Sequence, residues 1–522
     1  MTANRLERAQ RVERQPSAID LAVACDRIDS VPRPGADRTP ALSLIRVNIT
    51  LSTRNRPPRC RFRREKSNAA MTYWDSLHRA ATCHQQGHAV DREIPGPCRI
   101  PNRFCHIPKG IRQVDLAQIK AALASRRPGH SLPQVLYNDP AVFEFDLHAI
   151  YARSWLMAGF TCELPQSGSY SSIMIGPWPV LIVRGRDGEI RAFHNSCRHR
   201  GAMLCKPGLG RSPRIVCPYH RWTYNLDGGL LSAARMPDDF ETSEHGLKPV
   251  RTEVVAGVIY ICLSDTPPPF DTFRRDIEPL LAPHDLENAK VARMETLVEH
   301  ANWKLVLENG RECYHCQASH PELARTFPVG SSAYFDYGGA EFAEAYERRM
   351  AEVGLPCGPV GEDWWQAIRF PLNPGMMSMT LDGAPASKKL MCKAGDGDIG
   401  SMRWALEPHH FAHATGEQLF SFSAMPTAPN ETLVTAKWLV HKDAVEGVDY
   451  DGEAILEPWH STNLQDKELA ENNQAGINSP GYTPGPYSPE AEVLVLRFVD
   501  WYCARATDYV DQQLAKGLVH AA

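Results

Sequence analysis

What the chain lacks narrows it first. In 522 residues no run reaches the eighteen or so uninterrupted apolar residues that span a bilayer. The start, M-T-A-N-R-L-E-R, has no apolar core of signal-peptide type. Neither sign of charge predominates: the formal charge is −4, with 23% charged and 43% hydrophobic residues, which argues against the basic footprint of a nucleic-acid binder. Neither a membrane anchor nor a nucleic-acid partner is therefore expected. No repeat or low-complexity array is visible, and no dinucleotide fingerprint: Gly208-Leu-Gly210 lacks the third glycine and the strand-to-helix setting. Fifteen cysteines, an odd number scattered along the chain, suit free thiols and metal ligands in a reducing cytoplasm better than a disulfide framework.

Residues 1–110 read unlike the rest. Up to position 70 there are fifteen basic residues, fourteen of them Arg, against seven acidic ones, with prolines at 32, 34, 57 and 58 and no sustained period. Such a stretch has little apolar surface to bury, so a disordered leader is expected, or a reading frame that truly begins near Met71. Cys83, His84, His88, Cys98, Cys105 and His106 match no common zinc spacing.

Regular structure is expected from about Val114, with a short helix at D-L-A-Q-I-K-A-A-L-A and a second over Ala141–Trp155, where Phe143, Leu147, Ile150 and Trp155 recur at helical spacing. Val180–Arg184 and Ile190–Phe193 around Asp187-Gly188 form a hairpin signal, as does Trp222–Leu231 around Asp227-Gly228. Val254–Leu263 reads as one more strand, and three prolines at 267–269 close the segment. Strands follow near Leu419–Met425 and Leu433–Val440, then helices from about Pro458 and Pro489. The fold class is α+β. A small β-sandwich-like domain over 160–266 is followed by a larger domain of antiparallel sheet and helices over 267–522, with 111–159 supplying N-terminal helices to the latter.

Within the β domain Cys197-x-His199 is followed, seventeen residues on, by Cys217-x2-His220. Each half lies in a loop, so two loops can pinch one site. Two thiolates and two imidazoles would suit structural zinc. The even division also suits a [2Fe-2S] cluster with cysteines on one iron and histidines on the other. Cys205, Cys313 and Cys316 read as buried structural thiols.

Further on, Asn302–Pro321 holds Glu308, Glu312 and His315 at the spacing of one helix face, with His320 directly before Pro321, where the helix should loosen. A polar, solvated helix face accounts for this stretch. So does a metal centre, because two imidazoles and a carboxylate from elsewhere make a facial triad with open positions, suited to non-haem Fe(II) and oxygen.

The loops Cys197-Arg-His-Arg-Gly201 and Cys217-Pro-Tyr-His-Arg-Trp222, followed by Glu308-x3-Glu312-x2-His315-x4-His320, resemble the α subunit of Rieske non-haem iron oxygenases over roughly residues 112–510. The resemblance implies one Rieske [2Fe-2S] cluster on Cys197, His199, Cys217 and His220, and one mononuclear Fe(II) on His315 and His320. Glu312 is implied to bridge that iron site to a Rieske histidine, His220, of the neighbouring subunit, hence a homotrimer. The third iron ligand is implied to be Asp466, which follows Gln465 at the start of a helix. Arg311-Glu-Cys-Tyr-His-Cys316, His320-Pro-Glu-Leu323, Lys437–Tyr450 and Gly485-Pro-Tyr-Ser488 are most similar to the branch that acts on glycine betaine and proline betaine. That implies a monooxygenase which hydroxylates an N-methyl carbon and so demethylates a quaternary ammonium compound. It would use O2 and electrons that a separate flavin or iron-sulfur reductase draws from NAD(P)H. The alternative with the same cofactors is an aromatic-ring-hydroxylating dioxygenase. A trimethylammonium head has a fixed charge and no N–H, so it suits an aromatic cage. Trp364, Trp365, Phe370, Trp404, Phe411 and Phe420 are available for one.

Overall fold

The computed structural model describes residues 115–329 and 340–521. The leader and the cysteines and histidines at 83–106 lie outside them. Ten helices are described: α1 (Leu116–Ala124), α2 (Val135–Asn138), α3 (Pro140–Ala149), α4 (Asp271–Leu281), α5 (Trp303–Asn309), α6 (Cys316–Ser319), α7 (Leu323–Thr326), α8 (Ala340–Glu352), α9 (Trp459–Ile477) and α10 (Val493–Ala521). None is long and apolar enough to cross a membrane.

The first β region comprises β1 (Leu156–Phe160), β2 (Ser169–Ile175), β3 (Trp178–Arg184), β4 (Ile190–His194), β5 (Gly208–Arg211), β6 (Ile215–Val216), β7 (Thr223–Tyr224), β8 (Leu230–Ser232), β9 (Pro249–Val255) and β10 (Val258–Cys262). Seven of these form one antiparallel sheet in the order β1-β10-β9-β4-β3-β2-β5, and β6-β7-β8 form a small second one. The hairpin at Asp187-Gly188 joins β3 to β4 as expected, with Gly188 at φ +87. Val254–Leu263 is not one strand. Ala256 and Gly257 turn there with φ of +46 and +85, so the apolar run is the two arms of a β9–β10 hairpin. Gly257 is also needed for space, since a Cβ there would lie 2.9 Å from the backbone of Leu286 and Glu287.

The second region is a seven-stranded antiparallel sheet in the order β11-β17-β16-β15-β14-β13-β12. Its strands are β11 (Ala289–Glu299), β12 (Val360–Glu362), β13 (Trp365–Phe370), β14 (Ser401–Leu406), β15 (His410–Ala414), β16 (Gln418–Ala428) and β17 (Glu431–His441). The α+β class holds. The second expected helix is shorter than its periodicity suggested: Asp139 caps it at Ala141 N, and it ends at Ala149, before a 3-10 turn leads into β1.

A buried polar knot ties α5 to the helices around it. Lys304 Nζ forms an ion pair with Asp146 of α3, which also accepts from Trp303 Nε1 at 3.1 Å and from Tyr502 OH of α10 at 2.9 Å. Both charged side chains are out of water, and the ammonium lies 4.9 Å from the ring centroids of both Trp303 and Tyr502. The helix that leads into the candidate site is thus fixed at its base by groups from both ends of the described chain.

Candidate active site

The helix expected over Asn302–Pro321 breaks in the middle. Asn302 caps α5 by accepting from Lys304 N at 3.0 Å, α5 ends at Asn309, and only Cys316–Ser319 is helical again. Between them the Glu312 carboxylate accepts from the backbone N–H of Tyr314 and of His315. A side chain that captures local amides in this way competes with the helical ladder. Glu308, Glu312 and His315 therefore do not share one helix face. Glu308 points into the core, where Tyr137 OH donates to Oε1 at 2.9 Å and Tyr487 OH to Oε2 at 2.8 Å. Burial pushes its carboxyl up to about 7, against the pull of both hydroxyls and of Lys304.

The broken helix delivers its histidines to one point. His315 Nε2 lies 3.0 Å from His320 Nε2 and 3.2 Å from Asp466 Oδ1, and His320 Nε2 lies 2.9 Å from the same oxygen. Asp466 comes from the second turn of α9. Glu312 Oε1 is hydrogen-bonded to the other ring nitrogen of His315. Burial lowers the His315 imidazolium, but Asp466 and Glu312 outweigh it and carry it up to about 9. Asp466 is held below the usual carboxylate range by the two histidines despite its burial. Three donors on one face of an octahedral ion, each at about 2.1 Å, stand about 3 Å apart, so the observed separations fit a single iron.

Cys313 and Cys316 are buried as expected, but they are not free thiols: they are joined in a disulfide, with Cα atoms 4.9 Å apart. The turn between α5 and α6 brings them together. Among the described residues the other eight cysteines are free. Cys205 is half-buried rather than buried, its thiol raised to about 11 by desolvation.

A small cleft adjoins the triad, and its apolar wall includes Phe327, Phe411 and Trp459 with His413 among them. Of the six aromatics offered by the sequence only Phe411 is on this wall. Trp364 and Trp365 pack on Phe273, Trp404 is fully buried beside His410, and Phe370 and Phe420 stand behind the lining rings. Trp459 was findable, since it precedes Asp466 by seven residues, two turns along one helix face. Phe327 sits just past α7, and no periodicity marked it. His413 is kept neutral by burial and by Arg403, with Ser401 Oγ 2.9 Å from its Nδ1.

The other constellation forms a second point. The two loops have the same closure: Gly201 N–H donates to Cys197 C=O at 2.8 Å, and Arg221 N–H to Cys217 C=O at 3.1 Å. Gly201 and Arg221 both take positive φ, +74 and +62. Both cysteines are buried, with Tyr224 OH 3.3 Å from Cys197 Sγ. His199 stacks on Trp222, centroids 4.9 Å apart and planes within 8°, and meets the His220 ring at 4.7 Å. His199 Nδ1 is buried and has no hydrogen-bond partner, while His220 is exposed. An orphaned buried ring nitrogen beside two buried thiols is the donor set that a cluster would satisfy.

Residues 154–244 match the Rieske [2Fe-2S] domain, and residues 286–508 match the ring hydroxylating alpha subunit (catalytic domain). The chain is 46% identical over 406 residues to the glycine betaine monooxygenase oxygenase subunit of Pseudomonas aeruginosa strain UCBPP-PA14, covering 75% of this chain and 93% of that one. The chain is a Rieske oxygenase α subunit. The same-named subunit of Chromohalobacter salexigens is 44% identical over 389 residues, covering 73% and 86%. A crystal structure of the quaternary ammonium Rieske monooxygenase CntA superposes with a TM-score of 0.58 at 21% identity, covering 74% of this chain and 98% of that chain; at that identity it supports the fold alone. As a Rieske oxygenase the protein is an oxidoreductase that incorporates oxygen from O2, with one [2Fe-2S] cluster and one mononuclear iron as its cofactors.

Proposed function

We propose that this Rieske oxygenase is a monooxygenase that removes a methyl group from a quaternary ammonium substrate of the glycine betaine type. The observation that carries the reading is the cleft itself: Phe327, Phe411 and Trp459 line the space next to the converged His315, His320 and Asp466. Aromatic faces attract a fixed cation that offers no hydrogen-bond donor, and the neutral His413 adds no opposing charge. The glycine betaine monooxygenase subunits among its relatives point the same way.

In this reading His315, His320 and Asp466 hold the mononuclear iron, and Cys197 and Cys217 with His199 and His220 hold the cluster. The cluster supplies electrons and the iron supplies the place where O2 is activated. The protein's own part is to orient one N-methyl carbon toward that place and to keep the pocket wall apolar. Overall, one methyl C–H becomes C–OH while O2, two electrons and two protons yield that hydroxyl and one water. The N–CH2OH product then breaks its C–N bond, releasing formaldehyde, a proton and the demethylated amine.

Glu312 holds His315 through one carboxylate oxygen and, with His220 exposed on the cluster loop, suits a bridge between subunits of a homotrimer. The sequence carries no dinucleotide fingerprint, so a separate NAD(P)H-dependent flavin or iron-sulfur reductase passes electrons to the chain. Eight of the ten described cysteines are free and two form the single Cys313–Cys316 link, which favours a cytoplasmic setting over a secreted disulfide framework. Incubating the protein with a competent reductase and a panel of betaines and aromatic acids tests the reading. Formaldehyde in step with oxygen uptake is expected from a betaine; cis-diol from an aromatic acid without formaldehyde would overturn it in favour of a ring dioxygenase.

A further inference from the structure

His320 is the more deeply buried of the two converging histidines, 1% exposed. Its Nε2 faces Asp466 and His315, and its Nδ1 lies 2.8 Å from Gln465 Oε1. Gln465 Nε2 in turn donates to Glu322 Oε2 at 2.8 Å. The four residues come from two segments that alternate: the first supplies His320 and Glu322, and α9 supplies Gln465 and Asp466.

This chain has a direction. An ionised carboxylate only accepts, so Glu322 selects the NH2 end of the Gln465 amide. The amide oxygen is then turned to His320, where it needs a donor. His320 meets it with Nδ1–H, which leaves the lone pair on Nε2. His315 reaches the same end by a shorter route, with Glu312 directly on its Nδ1. We propose that Glu322, acting through the amide of Gln465, fixes His320 in the tautomer that presents Nε2 to iron. The proposal rests on the reading above that His320 is an iron ligand. Glu322 touches neither iron nor substrate in this scheme; it is a positioning residue, and outer partners of this kind govern both the orientation and the basicity of a ligating imidazole.

The test uses the full chain with its cluster intact, depleted of mononuclear iron and titrated anaerobically with Fe(II). The electron-spin spectrum of the ferrous nitrosyl serves as a second readout, and cluster absorbance as the check on folding. Glu322→Gln still offers an acceptor oxygen and should lose no more than about fivefold in affinity. Glu322→Lys demands the amide oxygen for itself, turns NH2 toward His320 and favours the wrong tautomer, so a loss of about 10- to 100-fold is expected. Adding Gln465→Glu to Glu322→Lys sets a carboxylate against His320 Nδ1 and pairs it with the lysine. That double variant should recover affinity to within about fivefold of the parent and recover its nitrosyl spectrum. Wild-type affinity in Glu322→Lys, or a double variant no tighter than the single one, would overturn the proposal. His320→Ala separates the two readings: if it kept its iron, the ligand assignment itself would fall.

Discussion

The indole of Trp459 lies flat on the ring of Phe420, with centroids 4.3 Å apart and planes within 3°. Phe420 is on the interior strand β16 and Trp459 opens α9, so the stack holds the helix that carries Asp466 against the sheet. It also sets the angle at which the indole enters the cleft. Phe327 at 5.2 Å and His413 at 5.0 Å pack around the same indole.

Trp459 should therefore govern the recognition of cationic substrate. Trp459→Leu is expected to weaken binding of glycine betaine by about 2- to 30-fold, the range of an aromatic–cation contact of ~0.5–2 kcal/mol. Its isostere with an uncharged tert-butyl head, 3,3-dimethylbutanoate, should be affected much less. Trp459→Phe should keep most of the difference. Equilibrium binding of both ligands to the three proteins checks this, and an equal loss for both would remove the cation from the explanation.

Removing His315 should separate the two metal centres. His315→Ala is expected to lose mononuclear iron and substrate turnover while keeping the cluster's absorbance, because the converging donors and the cysteine loops belong to different regions of the fold. Iron-to-sulfide ratios measure it directly. Persistent turnover in iron-free protein would contradict the oxygenase site.

Glu308 should give a pH-dependent stability of definite sign. Burial raises its carboxyl from an ordinary 4.5 to about 7, with Glu492 raising it and Lys304, Tyr137 and Tyr487 opposing. The folded state thus holds the proton more tightly than the unfolded state. Its contribution is fully present below about 4.5, declines as pH rises, and is gone above about 7, a swing of order 3 kcal/mol. Glu308→Gln has no such carboxyl. Its melting temperature relative to the parent should rise between pH 5 and pH 8; a constant difference would show that Glu308 keeps an ordinary carboxyl.

The knot below α5 should be costly to cut on one side. Lys304→Met leaves Asp146 buried without its counter-ion, and a loss of about 3–5 kcal/mol is expected, visible as a lower melting temperature. Replacing both partners with apolar residues should recover much of it.

Much of the site was readable because its donors are chemically unusual and closely spaced. Cys197, His199, Cys217 and His220 stand out in any register, and the three residues singled out as iron ligands, His315, His320 and Asp466, lie side by side. Local competition was harder to see. The spacing of Glu308, Glu312 and His315 is helical, yet Glu312 spends its carboxylate on the amides of Tyr314 and His315, and the helix stops before it. The hairpin at Ala256-Gly257 was hidden because both of its arms are apolar. What depended on distant partners was not readable: Tyr137 and Tyr487 on Glu308, Phe327 beside Trp459, and Gln465 between His320 and Glu322 are brought together only by the fold.

The disulfide between Cys313 and Cys316 has a consequence for which metal the site prefers. Cys316 Sγ lies in one group with the ring nitrogens of His315 and His320, all within 4.8 Å of one another. A free thiolate there would add a soft donor to two imidazoles and suit Zn2+ or Cu+. Paired with Cys313, the sulfur is no longer a competitive ligand, and what remains is two nitrogens and a carboxylate oxygen, a harder set. With the metal held as proposed, the cross-link would act as a filter on metal identity, and Cys313→Ser, which frees the second sulfur, should shift the metal recovered with the protein toward zinc.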